Sequence, residues 1–431
     1  MLTIKKGGIM KSVKYSLNII FISILFFSLN SFSLAAGKVT LLIHPTLYKA
    51  MGGPEGVVAD LKKEKGIDVT VITSPYGNIL DKAVLSFVSG GGEFDVVTWV
   101  GPWINSETVN FLEPLENNIS SAPVSYDYND IIGSLRKVAM YPKANGKTYG
   151  LPYRVGTGIF YYRKDLFQKA NLKVPTTWDE FLNVSEKLYQ PDSVFGVVQR
   201  GKPGVHVEQD FKRYLFSTGH AVLSDDYKTC LLDQNDSIRV LEVFGKPFLS
   251  GWAPPDMLAW GRDEYRTAMM QGRAAMGLYF SPYWGLMTNP EKSKVADQLG
   301  WFLVPNFSGK NQGATLNGGW FAVMDKNSKN KKDAFELMMA MTNKKNQLRG
   351  GLEWSNGPVR SSVYNDAGFN KKFPVAKAWL NAISLGLSDA QHPRIAQISD
   401  ITSKEIINYL QKKKSAKQAM GDACNQIKPL L

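Results

Sequence analysis

The sequence predicts an α/β protein with more than one domain. Three apolar segments with strand character, 38–43, 67–72 and 94–99, alternate with two segments of helical periodicity, 54–65 and 80–88. A strand–helix–strand repeat at this spacing indicates a parallel sheet whose strands are connected by helices. The chain has 431 residues, and at roughly 100–200 residues per domain this length favours two domains.

Later segments continue the mixed pattern. Thr177 and Glu180 have the spacing of a capping box, so we expect a helix to begin at Trp178, with its indole in the core. Further strands are predicted at 196–198, 275–279, 301–304 and 320–323, and further helices at 237–244, 263–271, 332–341 and over most of 381–431.

The first 36 residues have the pattern of a secretory signal peptide. Lys11 and Lys14 precede an apolar stretch, 17–29, and small residues suited to cleavage follow near Ala35 and Ala36. The apolar stretch is shorter than the roughly 20 residues that a membrane-spanning helix needs. Translation can start at either Met1 or Met10. Because no cysteine stands at the cleavage position, nothing in the sequence suggests a lipid anchor. We therefore expect an exported protein that works in the periplasm.

The formal net charge is +13, which raises the question of a nucleic-acid partner. The lysines concentrate at 326–332, 344–345 and 412–417, on or beside helical patterns and without interleaved aromatic residues. This arrangement is typical of solvated helix faces, so we predict no nucleic-acid partner. Two cysteines and four scattered histidines also offer no ligand set, so we predict no metal and no cofactor.

The two cysteines, Cys230 and Cys424, leave one question open. An even number of cysteines in an exported protein permits a disulfide. The sequence alone does not decide whether these two residues pair.

Residues 149–167, YGLPYRVGTGIFYYRKDLF, carry a family resemblance. Together with VPTTWDEF at 174–181, this stretch resembles the signature of family 1 extracellular solute-binding proteins, the maltose-binding-protein-like receptors of ABC importers. Further segments match the pattern of the same family, so that the resemblance covers most of the chain beyond the leader: 94–99 followed by 112–115, and 317–320 followed by 328–335.

The resemblance implies a two-lobe periplasmic-binding-protein fold. Each lobe would hold a parallel-rich mixed sheet with helices on both faces, and a ligand cleft would lie between the lobes. The chain would cross between the lobes three times, and Gly156 and Gly158 in the first crossing suit a hinge. The second crossing is predicted near 304–305 and the third near 351–359. Lobe 1 would comprise 37–155 and 305–357, and lobe 2 would comprise 156–304 and 358–431.

Aromatic residues near the crossings are the first candidates for ligand contacts. A sugar ring has weakly apolar faces and polar edges, so receptors stack aromatic rings on the faces and place hydrogen bonds at the edges. The resemblance places Trp99 and Tyr283 at stacking positions of the maltose-binding pattern. Pro102 and Trp103 stand where the maltose receptor has a charged pair, which argues against maltose itself. Trp320, after two glycines, and Trp354, beside the third crossing, complete the aromatic candidates.

Three polar residues complete the predicted site. Arg154 lies in the first crossing strand, Arg360 lies beside the third crossing, and His44 follows the first strand. An arginine can hydrogen-bond to sugar hydroxyls or form a bidentate pair with a carboxylate or phosphate.

These residues predict a substrate-binding protein of an ABC importer. As a monomer, it would capture a sugar, oligosaccharide or polyol and deliver it to the membrane permease. A sugar phosphate, an acidic sugar or a polyamine is an alternative ligand; the polyamine is less favoured because the candidate segments carry no carboxylates. An exported glycoside-active enzyme is a third reading, since acid pairs such as Glu113 and Glu116 occur. The sequence contains no G-x-S-x-G, H-E-x-x-H or C-x-x-C motif to support catalysis.

Overall fold

The structure, a computed structural model, describes residues 37–143, 145–310 and 313–431. The predicted signal peptide at 1–36 lies outside these residues. None of the helices in the described ranges combines the length and the apolar character that crossing a membrane requires.

The described strands form two principal sheets and one short hairpin. In chain order they are β1 Gly37–Ile43, β2 Ile67–Thr73, β3 Val96–Val100, β4 Met140–Tyr141, β5 Lys147–Thr148, β6 Gly150–Gly156, β7 Gly158–Arg163, β8 Phe195–Val198, β9 Ala274–Phe280, β10 Leu299–Phe302 and β11 Gly318–Met324.

Helices pack on the faces of the sheets, and helices make up most of the chain after the last strand. They are α1 Pro45–Lys49, α2 Val57–Lys65, α3 Tyr76–Val88, α4 Glu116–Ser120, α5 Gly133–Val138, α6 Lys164–Lys169, α7 Trp178–Leu188, α8 Val205–Leu215, α9 Asn235–Leu249, α10 Arg262–Met270, α11 Trp284–Met287, α12 Lys331–Thr342, α13 Lys344–Glu353, α14 Ser361–Tyr364, α15 Ala367–Lys372, α16 Ala376–Leu385, α17 Ile395–Leu410 and α18 Ala416–Ile427.

The first lobe is built on a five-stranded sheet with the strand order β2-β1-β3-β11-β6. Strands β1, β2 and β3 are parallel, as the sequence predicts, whereas β11 runs antiparallel to both β3 and β6. Strands β1, β2, β3 and β6 therefore end, and β11 begins, at one edge of the sheet. We call it the interlobe edge, because the chain leaves the sheet here after Gly156 and begins β7 of the other sheet at Gly158.

The second lobe is built on a four-stranded sheet with the order β10-β7-β9-β8. Strands β8 and β9 are parallel, and β7 is antiparallel to both β9 and β10. The sheets are thus mixed, as predicted, but antiparallel pairs outnumber parallel ones between these strands. The reason in the first lobe is that β11 enters from the interlobe edge, opposite in direction to its neighbours.

Two further passages of the chain lie beside the first crossing. Between β10 and β11 the chain returns to the first sheet, and Asn306 still accepts a hydrogen bond from the backbone of Trp178 on the way, at 3.2 Å. Farther along, the carbonyl of Gly357 accepts a hydrogen bond from the amide of Val155 at 3.0 Å. The predicted limits of the lobes at 155, 304 and 357 stay predictions.

Helix α7 begins at Trp178 and packs into the second-lobe core, as the sequence predicts. The Thr177 hydroxyl accepts from the Glu180 amide, and the Glu180 carboxylate accepts from the Thr177 amide, each at 3.2 Å, which forms the capping box. The Trp178 ring is fully buried and stacks on Tyr214 with 4.5 Å between ring centroids. The cysteines also lie in this lobe, and Cys230 and Cys424 form a disulfide that joins a loop before α9 to helix α18.

Candidate ligand-binding site

The interlobe edge brings residues together from distant parts of the sequence. His44 directly follows β1, Tyr76 begins the helix after β2, and Trp103 ends a short 3₁₀ helix after β3. Arg154 lies near the end of β6 and is paired directly with Trp320 near the start of β11. Directly paired residues of neighbouring strands lie on the same face of a sheet, so Arg154 and Trp320 are side by side.

Three of these residues form an aromatic wall, by which we mean Tyr76, Trp103 and Trp320. The Tyr76 ring lies 5.4 Å from Trp103 and 5.7 Å from Trp320, and the two indoles are 6.5 Å apart in an edge-to-face arrangement. The two indoles are half-buried and Tyr76 is 45% exposed. A wall of this kind combines rigid apolar area with edges open to a ligand. Both indoles are predicted from the sequence, whereas Tyr76 is not, although an aromatic residue just past the end of a parallel strand is a signal that could have identified it.

Two other predicted aromatics have different surroundings. Trp99 is fully buried in the first-lobe core, where its ring meets Phe87 at 6.3 Å and the edge of Trp103 at 5.4 Å. It therefore supports Trp103 from behind. Trp354 is half-buried, packs near Trp320 in the first-lobe core and carries the guanidinium of Arg349 on its ring at 4.6 Å.

Arg360 is not brought to the aromatic wall. Its side chain is 1% exposed, and its guanidinium donates to the carbonyls of Thr342, Asp127 and Tyr126 at 2.5, 2.8 and 2.7 Å. It also pairs with the carboxylate of Asp130 at 3.3 Å. These partners belong to the first lobe, so the structure gives Arg360 a structural task instead of the ligand contact that the sequence analysis predicted.

Arg154, His44 and Tyr283 are arranged around the interlobe edge. Tyr283 is half-buried in a 3₁₀ helix after β9, with its ring 5.0 Å from Tyr279 and beneath the guanidinium of Arg266 at 5.5 Å. Burial lowers the pKa of His44, and the positive charges of Arg262 and Arg154 lower it further. Arg262 begins helix α10 of the second lobe, so this electrostatic effect joins the two lobes.

Helix α8 contributes a buried charged network that sequence reasoning missed. Glu208, Asp210, Lys212 and Arg213 are each at most 2% exposed. The Lys212 ammonium pairs with Glu208 and, at 2.5 Å, with Asp389. Burial alone would lower the pKa of Lys212, but these two carboxylates raise it to about 12.

The second half of the network centres on Asp210. Its carboxylate accepts from Arg200 at 2.6 Å and from Arg213. Burial and the neighbouring Arg200 lower the pKa of Arg213 to about 10, so its guanidinium stays charged near neutral pH. The Nε and Nη2 atoms of Arg213 have no hydrogen-bond partner within the described part of the chain.

The hydroxyl of Tyr76 links the aromatic wall to helix α8. Burial of the hydroxyl raises the pKa of Tyr76 to about 12, with contributions from the negative charges of Asp389 and Glu208 and opposition from Lys212. Tyr76 belongs to the first lobe and these charges belong to segments that pack on the second. The charges of the network therefore act on the aromatic wall across the junction of the lobes.

This fold and site define a class of protein, a two-lobe α/β binding protein with its candidate site at the junction of the lobes. Residues 49–348 match the family model of bacterial extracellular solute-binding proteins, and the chain belongs to that family. The members of this family are binding proteins. The match confirms the family resemblance that the sequence shows.

Among characterised relatives, the chain is similar to the mannitol-binding protein of Pseudomonas aeruginosa, with 26% identity over 317 residues, 72% of this chain and 70% of the relative. It is also similar to a probable amino-acid ABC transporter periplasmic-binding protein of Sinorhizobium fredii, with 24% identity over 386 residues, 87% and 85% of the two chains. A solved ABC transporter solute-binding protein from Agrobacterium radiobacter, in complex with ribitol, superposes with a TM-score of 0.79. That pair is 23% identical and covers 92% of this chain and 99% of the other, which shows a shared fold.

Proposed function

We propose that this protein is the substrate-binding component of an ABC importer and that it captures a carbohydrate, meaning a sugar, oligosaccharide or polyol. The observation that carries the proposal is the aromatic wall of Tyr76, Trp103 and Trp320 at the interlobe edge. Aromatic rings that meet edge to face leave ring surface for the apolar face of a sugar or the carbon chain of a polyol. The mannitol-binding relative and the ribitol-bound structure support the same ligand class.

The polar groups around the wall suit ligands rich in hydroxyls. Arginine and histidine donate hydrogen bonds, and the carboxylates of helix α8 accept them. Because these groups lie on both lobes, a ligand would be held by both at once, and a hinge closure would bury it. A monomer would then present the closed form to the membrane permease.

A titration of ligands tests the carbohydrate proposal. We expect mannitol, ribitol, maltose, tagatose or an arabinose oligomer to raise the melting temperature of the purified protein. At a hundredfold excess over Kd the stabilisation should be about 2.7 kcal/mol. L-amino acids serve as the comparison set, because one relative is named for them. Stabilisation by an amino acid and by none of the carbohydrates would overturn the proposed ligand class.

Export is the second part of the proposal. The family is extracellular, and the leader pattern at 1–36 suits cleavage near Ala35 or Ala36. We expect the mature protein to be recovered from the periplasm with its N-terminus at Ala36 or Gly37, as measured by intact mass. Recovery of the full leader on the periplasmic protein would contradict the signal-peptide interpretation.

A further inference from the structure

Arg154 lies beside the aromatic wall, and the charges of Arg154 and Arg262 both act on His44, so we call His44, Arg154 and Arg262 the cationic cluster. Arg154 is half-buried and stands next to Trp320 on the neighbouring strand. Among the described residues, the guanidinium of Arg154 makes no hydrogen bond or ion pair. A half-buried arginine whose donors pair with no protein group is available to hydrogen-bond to a ligand.

His44 presents a donor to the same space. Its Nδ1 accepts a hydrogen bond from the backbone amide of Thr46 at 3.1 Å. In the neutral imidazole, the tautomer that this bond selects carries its proton on Nε2. The outer nitrogen of the ring is therefore a hydrogen-bond donor, as both arginines are.

Arg262 lies on the second lobe, and its charge acts on both His44 and Arg154. It is the exposed first residue of helix α10, the end at which the helix dipole disfavours a cation. The acidic residues of that turn are engaged elsewhere, since Glu264 accepts from the Gly261 amide at 2.8 Å and Asp263 pairs with Arg266. The positive charge of Arg262 is therefore unfavourably placed at this end of the helix dipole. A negatively charged ligand beside Arg262 would offset this repulsion.

The charges that surround the cluster do not neutralise it. The titratable groups that act on His44 are Arg262 and Arg154, and those that act on Arg154 are Arg262 and the hydroxyls of Tyr283 and Tyr153. Within the described ranges, no carboxylate is among them. The nearby carboxylate of Asp210 is already shared by Arg200 and Arg213. The side of the site next to Trp320 therefore carries an unbalanced positive charge.

We infer that the ligand is an anionic carbohydrate whose carboxylate or phosphate lies between Arg154 and Arg262 beside His44, while its carbon skeleton rests on the aromatic wall. This inference rests on the proposed function and narrows its ligand class. Arginine suits the task because its planar donors match carboxylate and phosphate oxygens, and two arginines on opposite lobes would couple recognition of the anion to closure.

Matched pairs of probes test the inference by calorimetric titration of the full mature protein. Each pair differs in one group: D-gluconate against D-sorbitol, D-galacturonate against D-galactose, and D-glucose 6-phosphate against D-glucose. The first two pairs test a carboxylate and the third a phosphate. We expect the charged member of at least one pair to bind about tenfold to a hundredfold more tightly than its neutral partner.

Substitutions of the two arginines test whether the cationic cluster causes the preference for the charged member of each pair. Arg154→Gln and Arg262→Gln should each reduce the preference for the charged member at least about tenfold, because each change weakens binding of the charged member more than binding of its neutral partner. Arg239→Gln is the matched control, because Arg239 is an exposed arginine that lies on α9 against Phe307 and pairs with Asp236. It should leave both affinities as they are.

The outcomes separate the two proposals. Equal or tighter binding of the neutral members, or a charged preference that survives both Arg154→Gln and Arg262→Gln, overturns the anionic inference and leaves the carbohydrate function standing. Binding of L-glutamate or another amino acid, with no carbohydrate bound in either form, overturns both.

Discussion

Replacing Arg360 with leucine should lower the free energy of unfolding by about 3–5 kcal/mol, the cost of removing one partner of a buried charged pair. The change leaves the carbonyls of Thr342 and Tyr126 without the donor that bonds them at 2.5 and 2.7 Å. It also leaves the carboxylate of Asp130 without its cation. Urea unfolding monitored by tryptophan fluorescence measures the loss.

A second arginine provides the control. Arg349 makes two ion pairs, with Asp60 at 3.0 Å and Glu353 at 3.1 Å, but its side chain is 35% exposed. Exposed pairs of this kind contribute at most about 1 kcal/mol, so Arg349→Leu should be mild. The fraction of Arg360→Leu that folds should bind ligand with normal affinity. A nearly unchanged unfolding midpoint together with a large loss of affinity would return Arg360 to the ligand site that the sequence suggested.

The buried contacts of Arg360 could not be predicted from the sequence. Its position beside the predicted third crossing made it a candidate for the ligand site, but its partners Tyr126, Asp127 and Asp130 lie more than 200 positions earlier in the chain. Sequence spacing carries no information about such contacts. The local signals were more dependable: the capping box of Thr177 and Glu180 sets its own helix boundary within four residues, and it forms as predicted.

At the interlobe edge, two aromatic residues of the site could be predicted from the sequence, but the buried charges of helix α8 could not. Trp103 could be predicted because it follows the end of a strand in a recognisable parallel pattern, and Trp320 because two glycines precede it and let the backbone approach a ligand. The charges of helix α8 could not be recognised as buried, because a segment with Glu208, Asp210, Lys212 and Arg213 reads as a solvated helix. The packing of Asp389, 177 positions away, and of Arg200 contributes to enclosing them.

Replacing Trp320 with alanine should weaken ligand binding by about fiftyfold to a hundredfold. If a carbohydrate covers about 100 Å² of the indole, at about 25 cal/mol per Å², the lost contact is worth roughly 2.5 kcal/mol. The wall would also lose a ring that touches both Tyr76 and Trp103. Calorimetric titration with the tightest ligand of the panel measures the change.

The fold should survive this substitution, because Trp320 is half-buried and its backbone stays bonded between β3 and β6. A fully buried tryptophan would instead cost about 3–5 kcal/mol of stability on truncation. Trp252→Ala is the matched control, since that indole is also half-buried but lies beyond helix α9, near Lys246. We expect a modest fall in melting temperature for both variants and a loss of affinity for Trp320→Ala alone. A steep fall in melting temperature with normal affinity of the folded fraction would show that Trp320 acts in packing, and the aromatic wall would lose its place as the ligand surface.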